Sequence, residues 1–268
     1  MARLEAAGVR KEFFRARSRT WLTALEDVTL TISDGEFVSI VGPSGCGKST
    51  FLKLVDGLID ETDGQITVDG QPVQGPGKDR AIVFQDASLL PWFTVLDNAA
   101  YGLRCHGVKA GKARSTALPF IEMVGLKGFE DTYPYELSGG MQQRVNLARA
   151  LAVNPDILLM DEPFASLDPQ MREIMQGELL RICEAAGKTV LFITHSIAEA
   201  VYLSDRVVVM SARPGRIIAD FVIELGRPRP LDARHAPEFL KHEHQIWELL
   251  KDEVLKTMAT DMTRHKES

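Results

Sequence analysis

Gly42-Pro43-Ser44-Gly45-Cys46-Gly47-Lys48-Ser49-Thr50 decides the fold because of what lies on either side of it. An apolar run, Phe37 to Val41, leads in, and an amphipathic stretch, Thr50-Phe51-Leu52-Lys53-Leu54-Val55, leads out. Glycine, any four residues, then Gly-Lys-Ser/Thr between a strand and a helix is the pattern of a phosphate-binding loop. Gly45 and Gly47 permit backbone angles and a close approach that a Cβ would block, so successive amide N–H groups can converge on phosphate oxygens. The helix opening at Lys48 adds unpaired N–H groups and the positive end of its dipole. Lys48 can reach the β- and γ-phosphates, and the Ser49 hydroxyl can ligate Mg²⁺. A turn that merely joined a strand to a helix would need neither side chain. The stretch predicts a nucleoside-triphosphate site over residues 42–50.

The rest of the chain is long enough to serve such a site. Its 268 residues, 45% of them hydrophobic, can bury one sizeable core or a core with a subdomain. Strand-like and helical patterns alternate between glycine-rich turns, which predicts an α/β fold. A formal net charge of −6 and a sequence pI near 5.6 argue against a sequence-independent grip on nucleic acid. The local cluster Arg10, Lys11, Arg15, Arg17 and Arg19 reads as a solvated loop. Three cysteines, Cys46, Cys105 and Cys183, show no metal-ligand spacing and suit a reducing compartment. The start has no apolar core of a signal peptide, and no run approaches membrane-spanning length, so a membrane role is expected to come through a partner.

Along the chain, residues 3–9, 28–32 and 64–69 alternate like strands and are broken by Asp34-Gly35 and Asp69-Gly70, good turn dipeptides. They predict an antiparallel β layer beside the nucleotide loop. Ala81 to Phe84 is an apolar run of strand length ending at Gln85. From Thr94 to about Ala152 the period turns helical, with Leu118 and Ile121 among the residues expected on apolar faces. Ile157–Met160, Val190–Ile193 and Val207–Met210 are continuous apolar runs, as in a parallel sheet covered on both faces. The helix expected from Pro169 to about Ala186 carries Ile174, Leu179, Leu180 and Ile182 on its apolar side. Gly226-Arg227-Pro228-Arg229-Pro230 reads as a linker. A final helix follows from Pro237 to about Met258, with Leu240, Ile246, Trp247, Leu250, Val254 and Met258 as its stripe.

Two further motifs turn a nucleotide site into an ATPase. Ile157-Leu158-Leu159-Met160-Asp161-Glu162-Pro163 is a hydrophobic strand ending in two carboxylates. Behind a phosphate loop, the first acid can orient Mg²⁺ and the second can accept a proton from the attacking water. Leu137-Ser138-Gly139-Gly140-Met141-Gln142-Gln143-Arg144 opens a helix with a hydroxyl and two unhindered glycine amides, a second anion-type helix terminus. Alone, Ser138 could be an ordinary N-cap.

In this order and at these separations the motifs resemble those of ATP-binding cassette (ABC) ATPases, and the resemblance covers nearly the whole chain. It implies a P-loop NTPase fold of class α/β: a RecA-like parallel-sheet core, an N-terminal antiparallel β layer and an inserted helical subdomain. Residues 1–225 would form the ATPase domain, with the helical subdomain over about 90–152. Residues 226–268 would form the linker and C-terminal amphipathic helix. Residue by residue, Gln85 matches the glutamine that touches Mg²⁺ and senses the transport partner. Asp168, in Ser166-Leu167-Asp168, matches the aspartate of the D-loop. His195 matches the histidine that contacts the γ-phosphate. Phe13 fits the aromatic that stacks on adenine, with Phe14 as the alternative. The resemblance thus assigns ATP contacts to Phe13, residues 42–50, Ser138, Gly139, Gly140, Gln142 and Asp168, and catalysis to Lys48, Gln85, Glu162 and His195. It assigns Mg²⁺ to Ser49, Gln85 and Asp161. Two departures, Ser196 where Asp is usual and Ala165-Ser166 where Gly-Ala is commoner, remove no group with a role in hydrolysis.

The resemblance also implies a head-to-tail homodimer, each ATP held between the loop of one copy and Ser138-Gly139-Gly140 of the other. A non-transport ABC protein would need a long coiled coil or tandem cassettes, and a small-molecule kinase would not carry the Ser-Gly-Gly motif. The ATPase subunit of a membrane transporter remains. It would sit peripherally on the cytoplasmic face of the cell membrane and work with permease subunits and, through them, a solute-binding protein. Val83 to Asn98 and the Arg-Pro-Arg tail are similar to subunits that import nitrate, sulfonates and taurine. The surface from Gln85 to Phe93 would receive the permease, although Trp92 and Phe93 read equally well as subdomain core. Cys46, at a helix N-terminus, is expected to favour thiolate.

Overall fold

The computed structural model describes the backbone of residues 2–266 and the side chains of residues 3–256. The chain divides into two compact units: residues 1–76 with 189–268, and residues 77–188 between them.

The first unit opens with β1 (Ala2–Arg15) and β2 (Thr20–Ser33), a long antiparallel hairpin whose ends extend well past the runs expected from alternation. Its alternation is of the half-buried kind, with Leu4, Ala6, Val9, Val28, Leu30 and Ile32 turned to the core. β3 (Phe37–Val41) is buried at every position, and α1 (Lys48–Asp56) follows the glycine loop. β4 (Asp63–Val68) pairs with β1 and, through Asp69-Gly70, with the short β5 (Gln71–Pro72). Asp69 and Gly70 both have positive φ, 49° and 72°, as a tight two-residue hairpin turn requires. The antiparallel layer is thus β2-β1-β4-β5.

The second unit begins with β6 (Arg80–Val83), then α2 (Val95–Cys105), α3 (Ala110–Met123) and α4 (Gly139–Ala152). β7 (Ile157–Asp161), buried throughout, pairs in parallel with β6, and α5 (Pro169–Ala186) closes the unit. Two expected apolar positions face solvent instead. On α3 the buried seam is Ala113, Ala117 and Ile121, and Leu118, one residue off it, is exposed. On α5 the seam is Met175, Leu179, Leu180 and Cys183, which turns Ile174 outward. One residue is about 100° on a helix, enough to leave a narrow seam.

The chain then returns to the first unit as β8 (Thr189–Ile193), α6 (Ile197–Leu203), β9 (Arg206–Met210), β10 (Ile217–Val222) and α7 (Pro237–Lys266). β3 lies between β8 and β9, parallel to both, and β10 adds an antiparallel edge. Continuous apolar runs are what doubly covered parallel strands demand. Ser39, a buried polar residue within β3, shares a hydroxyl–hydroxyl hydrogen bond with Ser204. α7 runs on to Lys266, beyond the expected end at Met258, and the side chain of Met258 lies outside the described residues. Its buried stripe is Phe239, Ile246, Leu250 and Glu253, whereas Leu240 and Trp247, expected on it, are half-exposed.

Candidate nucleotide site

Parallel pairing decides where the candidate residues emerge. In the first unit Ile40 lies opposite both Ile193 and Val208. The 42–47 loop, His195 and the turn after Met210 therefore all leave the carboxyl edge of the same strands. In the second unit Val83 lies opposite Met160, so Gln85 and the pair Asp161-Glu162 leave one edge together. The carboxyl edge of parallel strands is where open α/β sheets bind ligands.

The loop is shaped by contacts that exclude a side chain. A Cβ on Gly42 would sit 2.9 Å from the Met210 carbonyl, and one on Gly47 would sit 2.6 Å from Leu25 Cδ2 and 3.0 Å from the Ala24 carbonyl. Gly45 and Gly47 have φ of 74° and 117°, the region glycine enters at least cost. Gly47 is also the N-cap of α1 and supplies no side-chain cap, so the first amides of the helix are left to a ligand or water. Lys48 is buried, and its Nζ donates to the carbonyls of Gly42 (2.8 Å) and Pro43 (3.0 Å). Its cation is thus held inside the loop rather than in solvent. Ser49 and Thr50 occupy the first turn of α1, half-buried, while Ser44 is exposed and Pro43 buried.

Cys46 corrects one expectation. It is 1% exposed, and burial pushes its thiol up from the ordinary range, outweighing Lys48 Nζ at 3.8 Å from Sγ. The helix terminus does not make it a thiolate, because desolvation penalises the charged form more than the dipole and the lysine favour it.

Phe13 sits on β1, in the antiparallel layer, exposed and with Lys11 Nζ 5.2 Å from its ring centre. Phe14 points to the other strand face and packs on Trp21 with ring centres 5.3 Å apart. His195 is exposed just past β8. Next to it, Ser196 caps α6 by accepting from the Glu199 N–H at 3.3 Å, so serine serves here where aspartate is the usual residue.

In the second unit, Asp161 is buried at the end of β7 and Glu162 adopts a left-handed backbone, φ 47°. For a non-glycine residue that conformation is costly and clusters at functional positions. Ser138 caps α4 by accepting from the Met141 N–H (3.3 Å). Gly139 is exposed, with nothing within 4 Å of where a Cβ would stand, and Gly140 rests against the Ser166 carbonyl and Leu167. Gln142 Nε2 donates to the carbonyls of Pro134 (2.9 Å) and Leu137 (3.3 Å), which ties the turn before the motif to the helix. Asp168 caps α5 through the Met171 N–H (3.0 Å).

Four positioning residues escaped the sequence reading. Gln143 and Asn146, buried on α4, both donate to the Phe84 carbonyl, at 3.0 and 3.1 Å, and so fix the residue before Gln85. Arg149 donates to the carbonyls of Ala87 (3.0 Å) and Ser88 (3.2 Å). Asn98, fully buried, accepts from the Leu90 N–H and donates to the carbonyls of Leu90, Phe93 and Thr94. That clamp displays Trp92 with 67% of its surface exposed, while the half-buried Phe93 lies against Tyr101, ring centres 5.9 Å apart. Trp92 is thus a surface residue and Phe93 a half-buried one. Their only advance signal was amide and guanidinium groups on an otherwise apolar helix face.

Residues 25–165 match the family model described as ABC transporter. The chain is 54% identical to an uncharacterized ABC transporter ATP-binding protein of Methanocaldococcus jannaschii, across 88% of this chain and 87% of that one. It is 49% identical to a taurine import ATP-binding protein of Rhizobium johnstonii (89% and 93% covered). Identity to a nitrate import ATP-binding protein of Synechocystis is 45% (86% and 89% covered). Among solved structures, a dimeric ATP-binding cassette in a post-hydrolysis state with ADP and phosphate bound superposes with a TM-score of 0.76 and 33% identity, covering 83% of this chain and all of that one.

Proposed function

The chain belongs to the ABC transporter family of ATP-binding proteins, and from that premise we propose that it is the ATP-hydrolysing subunit of an importer for a small anionic solute, of the kind represented by taurine, alkanesulfonates and nitrate. The observation that carries the ATPase reading is the 42–47 loop. Gly42 and Gly47 have no room for a Cβ, its lysine is buried, and it runs into an α1 terminus without a side-chain cap. Taurine and nitrate importers at 49% and 45% identity support the solute class.

In this reading the backbone amides of 44–49 and Lys48 hold the ATP phosphates, with Phe13 against the adenine. The hydroxyl of Ser49, the amide oxygen of Gln85 and the carboxylate of Asp161 are hard oxygen donors that fit Mg²⁺. Among the described residues no group of three or more His, Cys, Asp or Glu could hold a metal ion. When bound, Mg²⁺ neutralises charge on the β- and γ-phosphates. Glu162 takes the proton of the attacking water as its oxygen bonds to the γ-phosphorus and the β–γ bridge breaks, releasing ADP. His195 and Gln85 orient the γ-phosphate and the water.

The exposed Gly139, with Ser138, Gly140, Gln142 and Asp168, would close over the nucleotide of a second copy, giving a homodimer with two shared sites. The loop around Trp92, held out by Asn98, would receive an amphipathic helix of a membrane permease, a standard mode of helix recognition. No described helix is long and apolar enough to cross a membrane. In this reading that permease would hold the chain at the cytoplasmic face, and contact with a solute-binding protein would come only beyond it. Residues 1–225 would carry the ATPase, and 226–268 the linker and C-terminal helix.

Growth of a strain lacking the gene tests the solute class. Failure on taurine or an alkanesulfonate as sole sulfur source, with normal growth on nitrate, would assign sulfur scavenging. Failure on nitrate as sole nitrogen source alone would assign nitrate. Normal growth on all three would refute the solute class.

A further inference from the structure

The turn Ser211–Arg216, between β9 and β10, touches three things that are far apart in sequence. It closes on itself, Ser211 N–H donating to the Arg216 carbonyl (2.9 Å) and the Ser211 hydroxyl receiving the Arg216 N–H (3.0 Å). On one side it is stitched to β2. Gly215 donates to the Ala24 carbonyl and its own carbonyl receives the Glu26 N–H, both at 3.0 Å. A Cβ on Gly215 would stand 2.2 Å from the Cys46 carbonyl, so the turn lies directly against the phosphate loop. From its tip, Arg213 donates two hydrogen bonds, from Nε (3.0 Å) and Nη2 (2.6 Å), to the Gly45 carbonyl. Behind it, Glu253 of α7, buried, receives the Ala212 N–H at 2.8 Å. Burial alone would raise the Glu253 carboxyl, but its bonds from Lys256 and Ala212 hold it below the usual carboxylate range. It therefore acts as a charged acceptor at neutral pH.

We infer that this turn is a strut from the C-terminal helix to the phosphate loop, with Arg213 as a positioning residue for the Gly45–Cys46 peptide and Glu253 as its anchor. In a trans peptide the carbonyl and the N–H point in opposite directions. Arg213 fixes the Gly45 oxygen outward, and that turns the Cys46 N–H inward, where it meets the Pro43 carbonyl at 3.3 Å and closes the 43–46 turn. Gly45, with φ 74° and no side chain to restrict it, has little of its own to hold that orientation. The guanidinium also brings a permanent positive charge to the outer side of a loop built for anions. The strut thus preorganises the loop, and nucleotide affinity depends on a helix far along the chain. This inference rests on the reading of residues 42–50 as the phosphate loop.

The test is a nucleotide titration and a saturating hydrolysis rate on the purified full chain, comparing the parent with Lys48→Ala, Arg213→Ala, Arg213→Lys and Glu253→Ala. Arg213→Ala is expected to weaken ATP affinity on the order of five- to tenfold, the net worth of an ordinary intramolecular hydrogen bond, with the rate at saturation unchanged. Arg213→Lys should recover most of that loss, and Glu253→Ala should weaken affinity about twofold by loosening the anchor of the same turn. Thermal midpoints without nucleotide report whether each variant folds. If Lys48→Ala abolishes binding while folded Arg213→Ala binds like the parent, the strut is overturned and the loop reading stands. If Arg213→Ala lowers the saturated rate with affinity intact, the positioning role is equally overturned. Parental binding by Lys48→Ala would instead overturn the loop reading itself, and the inference with it.

Discussion

The two helix ends proposed to meet ATP phosphates are built differently. The end of α1 is wrapped by its own loop: Gly42 and Gly47 have no room for a side chain, Lys48 is buried inside, and the N-cap has no side chain to offer. The end of α4 is satisfied locally by the Ser138 hydroxyl, and Gly139 faces open space. A helix end whose shape is set by its own chain can hold a ligand by itself. One that is capped and open needs its ligand brought to it, which is the role the proposed second copy would fill.

Glu162→Gln would sharpen this contrast most. With the proton acceptor gone, hydrolysis should slow on the order of 10²–10⁴ while ATP affinity is kept. ATP held at the α1 end should then accumulate a dimer, measured by light scattering with and without Mg-ATP. A variant that turns over at the parental rate removes Glu162 from this role, and one that stays monomeric breaks the proposed use of the α4 end.

The glycines come next. Gly47→Ala places a Cβ 2.6 Å from Leu25 Cδ2 on a backbone at φ 117°, and should cost about 1–3 kcal/mol of stability together with nucleotide binding. Gly139→Ala meets no neighbour, so its thermal midpoint should hold and its affinity for a single nucleotide should be parental. Its hydrolysis should nevertheless fall, since the added methyl stands where a partner's nucleotide would approach. Parental hydrolysis by Gly139→Ala would erase the distinction between the two ends.

Ser138→Ala removes the cap of α4 and should destabilise the fold by about 1 kcal/mol, read in chemical denaturation. Smallest is the difference between two thiols. Cys105 is exposed and Cys46 buried, so an alkylating reagent should label Cys105 first, with Cys46 following only as the structure opens. Equal labelling rates would mean the loop is looser than its contacts imply.

Much of the candidate site was legible because its motifs are local. A phosphate loop, a strand ending in two acids and a Ser-Gly-Gly helix start are each written in consecutive residues. Their geometry follows from backbone rules: Gly47 and Gly45 at positive φ, Ser138 and Asp168 as caps, Asp69-Gly70 as a turn. Helical faces were legible to within one residue, and that residue mattered. Leu118, Ile174, Leu240 and Trp247 satisfy a 3.6-residue period yet lie beside the buried seam.

The sequence by itself determined the class of the protein, its nucleotide loop and the order of its strands and helices, because these rest on patterns shorter than about twenty residues. Tertiary structure decided the rest. It buried Cys46 and so pushed its thiol up rather than down, and it set Gln143 and Asn146 on the Phe84 carbonyl and Asn98 beneath the Trp92 loop. It also brought Arg213 to Gly45 and Glu253 to Ala212. Each of these depends on desolvation or on a hydrogen bond between groups that the linear pattern leaves unpaired. Which donor meets which acceptor is fixed only when strands and helices are packed.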